Sequence, residues 1–176
     1  MIFLFAGHHN KDSGAIGNGR KESDLTKELR NLVVSQFKKL GFKDYQIDDD
    51  NDTLSQVLRK ITPKSTDIIF DIHFNSSPSA ESTGTEVLIS NVAGSLSKKL
   101  AAEILTANVD VLNLKSRGLK TESESARGRL AVLNKRGLAA LTEVCFITNV
   151  QDLEQYDKNK IQLAEKYAKI LIQFNQ

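Results

Sequence analysis

The fold is decided by an apolar segment at residues 67–76, which read DIIFDIHFNS. Its β-branched, apolar residues predict a buried strand. His73 lies where that strand gives way to a polar turn, so we expect its imidazole at the carboxyl edge of a sheet. Open α/β sheets bind their ligands at this edge. The segment therefore predicts both a core element and a candidate site residue.

Two further apolar segments carry a polar group at a comparable place. Residues 2–8, IFLFAGH, end on His8, and residues 139–146, AALTEVCF, hold Glu143 between apolar neighbours. Two histidines and a glutamate on three apolar strands are typical of a metal hydrolase.

Strands and helices alternate along the chain, which predicts an α/β fold around a largely parallel sheet. The predicted strands are 2–6, 67–73, 85–90 and 139–146, and the predicted helices are 23–40, a short helix capped by Thr53, 95–112 and 160–174. Segments 7–21 and 115–129 are predicted loops, because they lack apolar periodicity. No repeat or linker interrupts the chain, so residues 1–176 are predicted to form one domain.

Composition excludes several classes of partner. The net charge is +2, from 24 basic and 22 acidic residues, and aromatic residues make up 6%. These values disfavour a nucleic-acid surface, and no apolar run reaches the ~18 residues of a membrane span. The start of the sequence lacks the features of a secretory signal. The lone cysteine, Cys145, excludes an internal disulfide and is interpreted as a small buried thiol. We expect a monomer.

Three histidines are present, and two of them end strands: His8 and His73, with His9 as the third. Catalytic zinc takes three protein ligands and leaves a fourth position for water. Glu22 is the natural third ligand, because it closes the loop that starts at His8. The alternative for Glu22 is a first-turn acid that the helix dipole favours. A strand-end histidine taken alone also fits a structural role.

Glu143 differs from the surface acids because it interrupts an apolar strand. An unpaired carboxylate buried there is costly. Either a cation neutralises it or its pKa rises, and both suit a general base that activates water beside a metal. A structural glutamate held by hydrogen bonds is the alternative.

Four segments resemble the zinc-dependent N-acetylmuramoyl-L-alanine amidases, the family called Amidase_3. Residues 7–17, GHHNKDSGAIG, resemble the family's Gly-His-Gly-Gly-x-Asp-x-Gly-Ala loop. Residues 21–23, KES, resemble its Lys-Glu segment, and residues 72–76, IHFNS, are similar to its His-x-Asn strand end. Residues 141–149, LTEVCFITN, resemble its Val-Glu-x-Gly-Phe-Ile-Ser-Asn strand. The match covers nearly the whole chain in the right order.

The resemblance implies a single-domain, mixed and mostly parallel sheet of about six strands, flanked by helices on both faces. It implies that His8, Glu22 and His73 are the ligands of Zn²⁺ and that Glu143 is the catalytic base. The implied reaction is hydrolysis of the amide between the lactyl group of N-acetylmuramic acid and L-alanine of the peptidoglycan stem peptide. In this scheme Asn75 orients His73 or bonds to the substrate.

The sequence also departs from the family's motifs. His9 stands where the family has glycine, so it competes with His8 as the metal ligand. His8 is favoured, because its distance from the strand matches the family. Cys145 replaces a glycine near the catalytic acid.

Three arginines of the predicted loop 115–129 are candidates to meet peptide or lactyl carboxylates: Arg117, Arg127 and Arg129. Solvated loop charges are the alternative for all three. Of these, Arg129 is taken with Asn75 as a predicted substrate residue.

Two other functions stay open. One is a zinc peptidase or carboxypeptidase that acts on cell-wall peptides, and the other is a non-catalytic module that binds the wall. An enzyme of the wall without a secretory signal is expected to be either an endolysin released from the cytoplasm or a domain of a longer secreted protein.

Overall fold

A computed structural model of the chain describes residues 1–125 and 127–175. Its elements in chain order are β1 (Ile2–Ala6), β2 (Ile16–Gly17), β3 (Arg20–Lys21), α1 (Glu22–Lys39), β4 (Tyr45–Ile47), α2 (Leu54–Lys60), β5 (Ile68–Asn75), β6 (Thr85–Ile89), α3 (Ser95–Leu112), β7 (Ser116–Thr121), β8 (Leu138–Phe146) and α4 (Val150–Phe174). Two short 3-10 turns, Glu122–Glu124 and Ala131–Asn134, lie between β7 and β8. No helix in these described ranges is long and apolar enough to cross a membrane.

Six strands form one sheet in the order β4-β1-β5-β8-β6-β7, and β2 pairs with β3 in a separate hairpin. Neighbouring strands of the large sheet run parallel, except that β6 and β8 are antiparallel. The predicted α/β fold with a mixed, mostly parallel sheet is confirmed. The carboxyl ends of β1, β5 and β8 meet at one edge, where the amino end of β6 also lies.

The two faces of the sheet are covered unequally. The long helices α1, α3 and α4 pack on one face, where Phe70 and Ile72 join the larger core. The short helix α2 and the turn at Ala131–Asn134 pack on the other face, against Ile69 and Leu141. Side chains alternate between faces along a strand. His73, four residues after Ile69, therefore points to the thinly covered face, and so does Glu143, two residues after Leu141.

Residues 115–129 do not form the single loop that the sequence predicted. Ser116–Thr121 is a strand at the edge of the sheet, paired on one side with β6. Its residues are exposed or half-buried rather than alternately buried, so no apolar period marks it. Arg117 consequently lies on a strand.

Helix α4 begins at Val150, well before the predicted start at residue 160. The side chain of Asn149 caps it by accepting a hydrogen bond from the Asp152 amide at 3.0 Å. The first turns are largely polar, which conceals them from an apolar-period analysis. The predicted Thr53 cap is confirmed, since Thr53 Oγ1 accepts from the Gln56 amide at 3.3 Å.

Candidate active site

Three of the predicted residues converge at the carboxyl edge of the sheet. His8 follows β1 with a left-handed backbone (φ 69°), and its Nε2 lies 3.0 Å from Glu22 Oε2. His73 lies two residues before the end of β5, and its Nδ1 lies 2.9 Å from Glu22 Oε1. Each residue offers one ligand atom, and these atoms lie within 4.8 Å of one another. We call these three residues the His–Glu–His cluster.

Each histidine of the cluster also contacts an aspartate through the ring nitrogen that does not face Glu22. Asp12 Oδ2 lies 2.9 Å from His8 Nδ1, and Asp71 Oδ2 lies 3.3 Å from His73 Nε2. Glu22 accepts hydrogen bonds from the backbone amides of Ala15 at 2.9 Å and Phe74 at 3.1 Å. A carboxylate behind a ligating histidine fixes the orientation of its ring. The cluster is therefore held in place before any ligand binds.

The charges of the cluster are strongly coupled. Burial by itself raises the pKa of Glu22, but hydrogen bonds from His73 and His8 outweigh it, and the net pKa lies below the ordinary value. Burial opposes protonation of the two histidines, yet Glu22 and the carboxylates behind them raise the pKa of both. An anionic Glu22 between two proton-binding rings is a site that attracts a cation.

The residues present fit a zinc ion. Two imidazoles and one carboxylate are a known donor set of catalytic zinc sites. The two histidines contact different oxygens of Glu22, at 2.9 and 3.0 Å, and one donor atom from each of the three residues lies within 4.8 Å of the others. Glycines surround the rings closely: a Cβ on Gly7 would lie 2.4 Å from His73 Cε1. The backbone at Gly7 therefore leaves no room for a side chain beside the His73 ring.

Replacing Gly14 by alanine is expected to weaken zinc binding. A Cβ at this position would lie 2.5 Å from His8 Cδ2 and 2.6 Å from Glu22 Oε2, so both ligands must shift. Zinc affinity should fall by about 10- to 100-fold, the range seen when the support of a metal ligand is disturbed. Competition with a chromophoric chelator measures this affinity.

Gly19→Ala is the matched control for that substitution. Gly19 also has a left-handed backbone, with φ 74° against 62° at Gly14, but nothing lies within 4 Å of its added Cβ. The control shares the backbone strain and lacks the clash. Equal zinc affinity in the two variants would contradict the assignment of Gly14 as a wall of the metal site.

Glu143 lies beside the cluster on the neighbouring strand. It stands opposite His73 in the β5–β8 register. Its Oε2 is inaccessible and has no hydrogen-bond partner in the part of the chain that the structure describes. Burial raises the pKa of this carboxyl to about 8. A carboxyl group that lies beside the His–Glu–His cluster and has its pKa near neutrality is suited to accept and return a proton near neutral pH.

An open cleft of about 490 Å³ connects these groups. The cluster, Glu143, Asn75 and Arg127 all line it, whereas Arg129 is exposed and lies outside the lining. The side-chain Nδ2 of Asn75 donates to Glu86 Oε1 at 3.2 Å, so this group is hydrogen-bonded to Glu86 and not to His73.

His9 lies apart from the ligand atoms of the cluster. Its Nδ1 accepts a hydrogen bond from the Lys11 amide at 3.3 Å. It borders a smaller cavity of about 120 Å³ behind His8. The cluster thus contains His8 and leaves out its neighbour.

Several site residues were not predicted from the sequence. Asp12 and Asp71 lie behind the histidines, and Glu86 lies beside Glu143 in the β6–β8 register. Glu86 interrupts the apolar segment TEVLI as Glu143 interrupts its own strand, so the same signal could have identified it. Asp71 precedes His73 by two residues and therefore shares its face.

The fold places three residues that could hold a metal ion at the carboxyl edge of an α/β sheet, the edge at which such sheets bind their ligands. Residues 2–173 match the family model described as N-acetylmuramoyl-L-alanine amidase, Amidase_3. The chain belongs to this family of enzymes.

Relatives and solved structures are consistent with that membership. The chain is 30% identical over 164 residues to the uncharacterized protein YqiI of Bacillus subtilis, which covers 92% of this chain and 77% of YqiI. It is 25% identical over 177 residues to the endolysin of Bacillus phage SPP1, covering 96% of this chain and 63% of the endolysin. The amidase AmiC2 of Nostoc punctiforme has the same fold, with a TM-score of 0.78, 20% identity and coverage of 98% of this chain and 95% of AmiC2.

Proposed function

We propose that this chain is a zinc-dependent amidase that cleaves the bond between the lactyl group of N-acetylmuramic acid and L-alanine of peptidoglycan. His8, Glu22 and His73 would hold the zinc ion, and Glu143 would act as the general base. One observation carries the proposal: Glu143, whose buried Oε2 has no hydrogen-bond partner among the described residues, lines the same cleft as the His–Glu–His cluster.

The positions of these groups support the following division of roles. Zinc, when bound, supplies Lewis acidity toward the scissile carbonyl and the attacking water. Positive charge at the cluster favours the ionised form of Glu143, which opposes the effect of burial on its pKa. Glu143 then accepts a proton from the attacking water and returns it to the amine nitrogen of L-alanine.

Two further residues stay predictions as substrate contacts. The side-chain oxygen of Asn75 accepts a hydrogen bond from the backbone N–H of Ser76 at 2.8 Å. The side-chain Nδ2 of Asn75 donates a hydrogen bond to Glu86. Asn75 is therefore already hydrogen-bonded at both ends and would meet the substrate only through remaining lone pairs or protons. Arg129 would have to reach the cleft from its exposed position.

The proposed substrate lies in the cell wall. A phage endolysin among the relatives supports action there. Either release of a lysin from the cytoplasm or export as a domain of a secreted protein would bring the enzyme to its substrate. We expect it to act as a monomer on peptidoglycan, without a nucleic-acid partner.

The test is a product analysis with zinc-loaded protein. Muropeptides that contain N-acetylmuramic acid should yield the free sugar and a peptide with a new L-alanine amino terminus, and mass spectrometry identifies both. Glycan-free stem peptides are the discriminating substrate: cleavage of these would indicate a wall peptidase instead. Binding of muropeptides without any cleavage would indicate a wall-binding module.

A further inference from the structure

A row of charged side chains crosses the sheet on the thinly covered face. His73 on β5 stands opposite Glu143 on β8, and Glu143 stands opposite Glu86 on β6. The next strand, β7, contributes Arg117 and Lys120. Two strand spacings of ~4.8 Å place β7 about 10 Å from β8. The row thus starts at the proposed metal site and ends at two cations.

Glu86 holds both cations against the wall of the cleft. Its Oε2 accepts from Arg117 Nε at 2.9 Å and from Lys120 Nζ at 2.6 Å. Its Oε1 accepts from the Asn75 amide at 3.2 Å. Glu86 is only 8% exposed. Arg117 and Lys120 are both positive and Glu86 is negative, so these three side chains together carry a net charge of one positive unit.

The Arg117 side chain is held by an aromatic ring and by a hydrogen bond from one of its three nitrogens. Its guanidinium lies over the ring of Phe146, 4.9 Å from the centroid. The described hydrogen bond uses Nε alone; within residues 1–125 and 127–175 the two terminal nitrogens donate none. These two nitrogens form the planar fork that binds a carboxylate bidentately. Arg117, Lys120, Glu86 and Phe146 all line the same cleft as Glu143.

We propose that Arg117 and Lys120 form a subsite for a free carboxylate of the stem peptide. This inference rests on the proposed function and names the substrate feature that the cleft selects. L-Alanine and the next residue together span at most ~7 Å of extended chain. The side chains of Arg117 and Lys120 extend from β7 into the cleft, and they bring a carboxylate on that next residue within reach. Isoglutamate carries such a carboxylate there, and isoglutamine carries an uncharged amide at the same position.

Two muropeptides that differ only in isoglutamate or isoglutamine test the inference. The wild type should cleave the isoglutamate form with a kcat/KM about 10- to 100-fold higher, since a charge-assisted hydrogen-bond pair contributes on that scale. Arg117→Gln should bring the two kcat/KM values together, chiefly by raising KM for the isoglutamate form. Lys120 still pairs with Glu86 in this variant, so the buried carboxylate stays neutralised, and a thermal melt checks the fold.

Lys169→Gln is the control for loss of one positive charge. Lys169 pairs on the surface with Glu165 in α4, away from the cleft, and its substitution should leave the preference intact. Equal kcat/KM for both muropeptides in the wild type, or a uniform fall in kcat for both in Arg117→Gln, would overturn the subsite. If neither muropeptide is cleaved, the proposed function fails separately. Calorimetric binding of the two peptides then decides the subsite, and equal affinities would overturn it.

Discussion

Glu143→Gln should lose hydrolytic activity by about 10³-fold or more while it still binds zinc. Glutamine keeps the size and the burial of the side chain, but its amide cannot take a proton from water. General acid–base groups contribute roughly 10²–10⁴-fold to such reactions, and this one residue is proposed to act in both proton transfers. Turnover is followed by the appearance of L-alanine amino termini, and bound metal by atomic absorption on the same sample.

The control for this prediction is Glu81→Gln, which removes the same charge from an exposed position outside the cleft lining. It should keep wild-type turnover. Turnover near the wild-type level in zinc-loaded Glu143→Gln would move the general base to another group. Loss of zinc together with activity would instead make Glu143 part of the metal site.

The strands of the sheet that are buried could be predicted, because burial requires apolar residues. β1, β5, β6 and β8 are apolar because they lie inside the sheet, and such segments stand out from polar surroundings. β4 and β7 occupy the two edges. An edge strand is paired on one side only and stays partly exposed, so its residues need no apolar pattern. Sequence reasoning therefore found the centre of the sheet and missed its margins.

The candidate site divides in a similar way. His8, His73 and Glu143 were identifiable because each is a polar residue that interrupts or ends an apolar strand. Arg117 and Lys120 sit on a polar edge strand, where one more cation gives no signal. Their proximity to Glu86 depends on the β6–β7 register, which depends in turn on the fold. Contacts made across strands are thus the part that only the structure supplies.

His73→Ala should abolish specific zinc binding and, with it, stabilisation of the fold by the metal. A ligand that binds only the folded state stabilises it by RT ln(1 + [L]/Kd), about 2.7 kcal/mol at a hundredfold excess over Kd. The wild type should therefore melt at a higher temperature in the presence of zinc, and the variant should not. His9→Ala is the matched control, since the neighbouring histidine lies outside the cluster. Zinc stabilisation that disappears in His9→Ala but persists in His73→Ala would contradict the assigned ligands.

Zinc affinity should also fall steeply as the solution is acidified. Glu22, Asp12 and Asp71 raise the pKa values of His8 and His73 above the ordinary value of an imidazole. Below those raised values both imidazoles hold a proton that zinc must displace, so binding releases two protons. Affinity should then drop by up to about 100-fold per pH unit, and level off once the pH exceeds both pKa values. Titration calorimetry in buffers of different ionisation enthalpy counts the released protons. A count of zero on the acid side would mean that the two histidines do not coordinate the metal.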